Sequence, residues 1–191
     1  MSAFEFIFSL FGLLLGFSLV EVLGGLARAL GVLLQPAERR PPDFRLGWLT
    51  PLFAIFVLLD LLSFWGAAWL VRDLLHVSGA TLTSLLFFAG AYYCCAHLVI
   101  PADLATAGDL DAHYFRVRRT VLFGLLVLLL LQLGFYASTP SIAPLLFRPL
   151  SLAFSGVLIG LMIATAFVRS RIANAVLLAL LVGRYLMVFA L

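Results

Sequence analysis

Six apolar stretches, parted by breaks rich in proline and charge, take up most of this 191-residue chain. A helix needs about 20 mainly apolar residues to cross the hydrocarbon core of a bilayer. Inside that core the backbone must satisfy its own hydrogen bonds, which leaves helices and closed barrels as solutions. The stretches cover 4–34, 46–71, 81–100, 120–137, 150–168 and 172–191. The expectation is an all-α, polytopic transmembrane bundle of six spans, forming one transmembrane domain over 1–191. Hydrophobic residues make up 64% of the chain and charged residues 11%, against about half and about a quarter in soluble domains. The first stretch imitates a signal peptide but lacks its basic start. Glu5 precedes any arginine, the first arginine is Arg28, and the apolar run continues to Leu34. It is expected to be a retained first span.

Arginine counts give the direction. Short loops with excess basic residues stay cytoplasmic. Arg39, Arg40 and Arg45 follow the first span, Arg116, Arg118 and Arg119 follow the third, and Arg169 and Arg171 follow the fifth. The alternate loops hold only Arg72 and Arg148. Both termini are therefore expected on the non-cytoplasmic side. The net charge of +3 is spread over the loops, which is no nucleic-acid footprint. Arg39, Arg40, Arg116, Arg118 and Arg119 are expected to meet lipid phosphates or a partner at the cytoplasmic surface.

Four polar residues stand inside apolar stretches and need explaining. Asp60 lies in "IFVLLDLLSFW", about 21 Å from the cytoplasmic start of the second span at 1.5 Å per residue. A charge at that depth costs at least ~2.5 kcal/mol and calls for a partner or a hydrated cavity. Arg184 and Gln132 come to about 18 Å in their own spans, and Glu21 to about 20 Å or about 10 Å, depending on whether Leu34 or Arg28 marks the interface. Glu21, Asp60, Gln132 and Arg184 are thus expected to form a buried polar layer, with Asp60 facing Arg184. Competing readings pair Glu21 with Arg28 along one helix face, and let Arg184 snorkel outward or neutralise the Leu191 carboxylate.

Small residues suggest where helices approach. Gly156 and Gly160, with Ala164, recur at four-residue spacing, and Gly12 and Gly16 repeat that spacing in the first span. Such spacing permits close helix packing in lipid, within one chain or between copies. Cys94 and Cys95 are adjacent in an apolar stretch and are read as packed thiols.

"DLDAHYFRVRR" is the densest polar segment. Asp109, Asp111 and His113 alternate, as ligands of a divalent metal can, but the defined third and fourth positions of a zinc site are missing. The expectation is that Asp109 or Asp111 caps the fourth span, that His97 is an interfacial histidine, and that no metal or cofactor is held. Glycine-rich phosphate loops and the common hydrolase motifs are absent from the sequence, so no enzymatic activity is expected.

"GWLTPLFAIFVLLDLLSFWGAAWLVRDL", the Pro-Ala-Asp after the third span and "DLDAHYFRVRR" resemble a group of small bacterial multi-span inner-membrane proteins with no assigned activity. The resemblance covers 4–119 and implies a bacterial inner-membrane location, without implying chemistry. The function expected is that of a structural or accessory membrane subunit, a scaffold fixed by its polar layer. The alternative is an ion or proton-linked channel or transporter using Asp60 and Glu21, with an intramembrane enzyme third. Expected partners are membrane lipids, a second copy or another membrane protein, and no nucleic acid.

Overall fold

The computed structural model describes residues 3–36, 38–72, 74, 76–104 and 106–190. Among them are seven α-helices and no strand. They are α1 (Ala3–Leu33), α2 (Leu49–Ala67), α3 (Gly79–Val99), α4 (Leu110–Ser138), α5 (Ala143–Leu146), α6 (Pro149–Phe167) and α7 (Arg171–Ala190). A 3₁₀ turn, Ala68–Val71, continues α2. Six helices, all but α5, are long and apolar enough to cross a membrane.

The helix starts follow local chemistry. Ser78 caps α3 by accepting from the Thr81 amide at 3.1 Å, and Asp109 caps α4 by accepting from the Asp111 amide at 2.9 Å. Pro149 opens α6 at a position where a missing amide proton is harmless. Two boundaries depart from the sequence expectation. α4 begins at Leu110 rather than near residue 120, because the Asp109 cap carries the helix through the charged segment. α5 forms a single turn inside the proline-rich break.

α2 lies at the centre. It packs against α1, α3, α4 and α7, while α1–α3, α3–α4, α4–α6 and α6–α7 contacts close most of a ring around it. Phe53, Phe56, Tyr92, Tyr114, Leu122, Leu178 and Tyr185 are fully buried in the shared core. In a bilayer, where lipid offers little net drive for burying apolar surface, close packing and interhelical hydrogen bonds would hold such a bundle together.

The close approaches are not where small-residue spacing placed them. A side chain at Gly156, Gly160 or Gly16 would meet nothing within 4 Å, and at Gly12 only the Trp65 indole at 3.3 Å. The tight crossings are at Gly25, where a Cβ would stand 2.9 Å from Ile100, and at Gly124, where it would stand 2.5 Å from the Cys95 sulfur. Four-residue spacing marks a face without saying which helix of the chain, if any, covers it.

The arginine-rich loops gather at one end. Arg45 donates its amide to the Gly108 carbonyl at 3.1 Å and accepts from the Leu110 amide at 2.9 Å, joining the first loop to the third. Asp111 accepts from the Leu49 amide at 3.0 Å, so the second aspartate of "DLD" caps α2 rather than its own helix. Gly47 beside it has φ +63°, and any Cβ there would fall 2.2 Å from the Asp111 carboxylate. Only glycine fits that turn. At the opposite end, Tyr136 donates to the Ala67 carbonyl at 3.2 Å, and Phe4 meets Trp69 edge-on at 5.4 Å.

Candidate functional site

Asp60 is the polar centre of the bundle. Its Oδ1 accepts from the Tyr185 hydroxyl at 2.5 Å, and its Oδ2 accepts from the Tyr92 hydroxyl at 2.8 Å. The three residues come from α2, α7 and α3. Tyr92 also lies 3.0 Å from the Val57 carbonyl, so its single proton has two acceptors in reach. Rings hold the two tyrosines in place: Phe64 stacks on Tyr92 at 6.1 Å, and Phe56 sits 6.1 Å from Tyr185. Both phenols are buried. A carboxyl group with each oxygen engaged by a hydroxyl of a different helix ties the rotation of all three helices together, since hydrogen bonds are directional.

The expected four-membered layer does not assemble. Asp60 and Arg184 form no ion pair: Arg184 donates instead to the Phe154 carbonyl of α6 at 3.4 Å, and its guanidinium lies 4.7 Å from the Tyr185 ring. Adjacent helical residues point about 100° apart, so when Tyr185 faces Asp60, Arg184 must face elsewhere. Glu21 bonds His97 of α3 at 3.1 Å. His97 lies five residues beyond Tyr92, about 7.5 Å nearer the arginine-rich end by helical rise. This pair, and not Glu21–Arg28, is the contact Glu21 makes; it is partly exposed, with side-chain accessibilities of 51% for His97 and 22% for Glu21. Gln132 donates to Tyr136 in its own helix at 2.9 Å, toward the opposite end from Glu21. The alternative involving Leu191 lies outside the described residues.

A second polar centre, at the arginine-rich end, was not expected. Asn174 of α7 is fully buried, as is Tyr114, and Arg118 is 3% exposed. Asn174 Oδ1 accepts from Arg118 at 2.7 Å and from the Tyr114 hydroxyl at 2.8 Å. Its Nδ2 donates to the Val168 and Ser170 carbonyls at 2.8 and 2.9 Å. Arg118 donates to the same Val168 carbonyl and stands 4.6 Å from the Phe115 ring. One amide thus ties α4 to the α6–α7 turn, satisfying carbonyls that the end of α6 leaves open. An asparagine in an apolar helix is the signal that would have found it, by the reasoning applied to Gln132.

Arg118 is therefore no surface residue, contrary to the lipid-contact expectation. Arg119 donates to the Ala166 carbonyl at 3.2 Å, and Arg40 folds over the end of α1 onto the Leu33 and Gln35 carbonyls. Arg39 and Arg116 are exposed. The third-loop residues part company: Asp109 pairs with Arg171 at 3.1 Å, Asp111 caps α2, and His113 Nε2 lies 3.0 Å from the Leu98 carbonyl. Among the described residues no three His, Cys, Asp or Glu side chains are grouped to hold a metal ion.

Two grooves open on the sides of the bundle. One, of about 370 Å³, runs between α1 and α2 over Gly12, Gly16 and Trp65. The other, of about 580 Å³, runs between α6 and α7 and has Arg184 in its wall. Comparison with protein-family models, curated proteins and solved structures finds no match to this chain.

Proposed function

We propose that this chain is a small integral membrane protein acting as a structural or accessory subunit, a non-catalytic scaffold whose shape is set by internal polar locks. The observation that carries this reading is Asp60, whose two oxygens are each engaged by a tyrosine of another helix. A carboxylate so engaged serves packing, because moving an ion past it requires breaking the bonds that hold α2, α3 and α7 in register.

One observation favours proton-linked transport instead. With two acceptors near one Tyr92 proton, a protonated Asp60 could donate to Tyr92 while Tyr92 donates to Val57. Purified protein in proteoliposomes separates the two readings. The scaffold predicts proton and monovalent-cation flux equal to that of empty vesicles, in the parent and in Asp60→Asn alike. Flux above the empty-vesicle level that Asp60→Asn abolishes would establish transport.

In the proposed orientation the arginine-rich end faces the cytoplasm of a bacterial inner membrane, and both termini face outward. Single cysteines at Ser78 or Ser141, in a chain with Cys94 and Cys95 replaced by alanine, are expected to react with an impermeant maleimide in intact cells. A cysteine at Arg39 is expected to react only after permeabilisation. Labelling of Arg39→Cys from outside, with Ser78→Cys and Ser141→Cys protected, would reverse the orientation.

A further inference from the structure

We infer that the groove between α6 and α7 is a binding site for an anionic phospholipid, whose acyl chain lies along the groove and whose phosphate meets Arg184. The inference rests on the reading of α6 and α7 as membrane spans and is independent of the scaffold role. The groove wall runs on α6 from Leu150 to Leu161 and on α7 from Ala179 to Met187. Eleven residues of rise on α6 make it about 16 Å long, close to half of a hydrocarbon core about 30 Å thick. Arg184 meets Phe154, so the groove from the phosphate to Leu161 is about 10 Å long and takes the first part of an acyl chain. Ala153, Ala179 and Gly183 leave the room.

The charge of the site selects the head group. Arg184 is the one charged residue in the groove wall. No carboxylate pairs with it among the described residues; the Phe154 carbonyl at 3.4 Å is its hydrogen-bond partner there, and its Nε is buried without one. A guanidinium in an apolar wall attracts an anion strongly, and a phosphate fits its donor fork in two-pronged fashion. Arg148, at the α6 start, is exposed at the same end of the groove and adds a second positive charge near the mouth. A zwitterionic lipid brings its own cation toward both. Arg184, placed by the sequence in an ion pair with Asp60, feels that carboxyl group only from beyond ion-pair distance and here takes its direct counter-ion from the bilayer.

Native mass spectrometry of delipidated protein, titrated with phosphatidylglycerol or phosphatidylcholine of matched chains, tests the site. The parent is expected to bind phosphatidylglycerol about ten-fold more tightly, the worth of one charge-assisted hydrogen-bonded contact. Arg184→Gln is expected to erase that preference while leaving phosphatidylcholine binding unchanged. Gly183→Leu, at a position where a Cβ meets nothing within 4 Å, is expected to weaken both lipids by filling the groove. Equal binding of the two lipids by the parent would overturn the proposal, and so would a preference that survives both substitutions. Should Arg184→Gln fail to fold, the parent preference and Gly183→Leu decide the matter alone. Alkaline carbonate extraction keeps the premises apart: protein released from membranes contradicts the spans, whereas retained protein without lipid preference contradicts only the site.

Discussion

Asn174→Leu is expected to cost about 2–4 kcal/mol of stability and to lower the thermal midpoint by about 5–10 °C. The side chain is nearly isosteric, so packing volume is kept. What is lost is the acceptor for Arg118 and Tyr114 and the donor to the Val168 and Ser170 carbonyls. Arg118 is 3% exposed and its Nε already lacks a partner, so the substitution leaves a buried cation with one carbonyl in place of two acceptors. Removing one partner of a buried charged contact is harmful because the other stays desolvated. Arg118→Met introduced into Asn174→Leu is expected to recover part of the loss, by removing the stranded charge. Thermal unfolding in detergent, followed by helical circular dichroism, measures both. A midpoint within 2 °C of the parent for Asn174→Leu, which is below the shift of ~1 kcal/mol in a chain of this size, contradicts the assignment.

The second large effect is at Asp60. Asp60→Ala removes the acceptor of the Tyr185 hydroxyl and one of the two acceptors within reach of Tyr92. Interhelical hydrogen bonds within membranes average about 0.6 kcal/mol and reach about 1.7, so a loss of about 1–3 kcal/mol is expected. Asp60→Asn keeps an acceptor for one tyrosine and offers the other a donor, so its loss is expected to be smaller, below about 1 kcal/mol. Arg184→Ala is expected to have less effect than Asp60→Ala, because Arg184 does not pair with Asp60. That order separates the tyrosine lock from the ion pair that depth alone suggested.

The long apolar helices were legible in the sequence, and direction around each helix was not. The apolar runs marked six helices because prolines and clustered charges interrupt them, and helix length against bilayer thickness placed Asp60 deep. The arginine-rich loops were legible as a group, and they do lie at one end. The partner of Asp60 was not legible, because α2 is apolar nearly all round and such a helix gives no stripe from which to read its rotation. One residue of phase decides between Arg184 and Tyr185. Equal depth itself did not hold for Glu21 and Gln132: Glu21 meets His97 nearer the arginine-rich end, and Gln132 meets Tyr136 toward the opposite end. Arg118 was misread because basic residues near a helix end usually reach the surface, and here the α6–α7 turn covers it. The "DLD" segment was half legible. An aspartate before an apolar helix is a cap signal, but that Asp111 caps α2 follows only from the tertiary meeting of two loops.

The equilibrium unfolding free energy of three variants tests the central claim, that Asp60 is a structural lock joining α2, α3 and α7 through Tyr92 and Tyr185. Asp60→Leu, the pair Tyr92→Phe with Tyr185→Phe, and the combined triple variant are compared in mixed micelles of mild detergent and dodecyl sulfate. Asp60→Leu strands the Tyr185 hydroxyl and leaves Tyr92 only the Val57 carbonyl, and the tyrosine pair strands one carboxyl group, so each is expected to be destabilised by about 1–3 kcal/mol. The triple variant strands nothing and is expected to return to within about 0.5 kcal/mol of the parent. A triple variant whose loss equals the sum of the other two would contradict the lock, because residues that do not act on one another add independently.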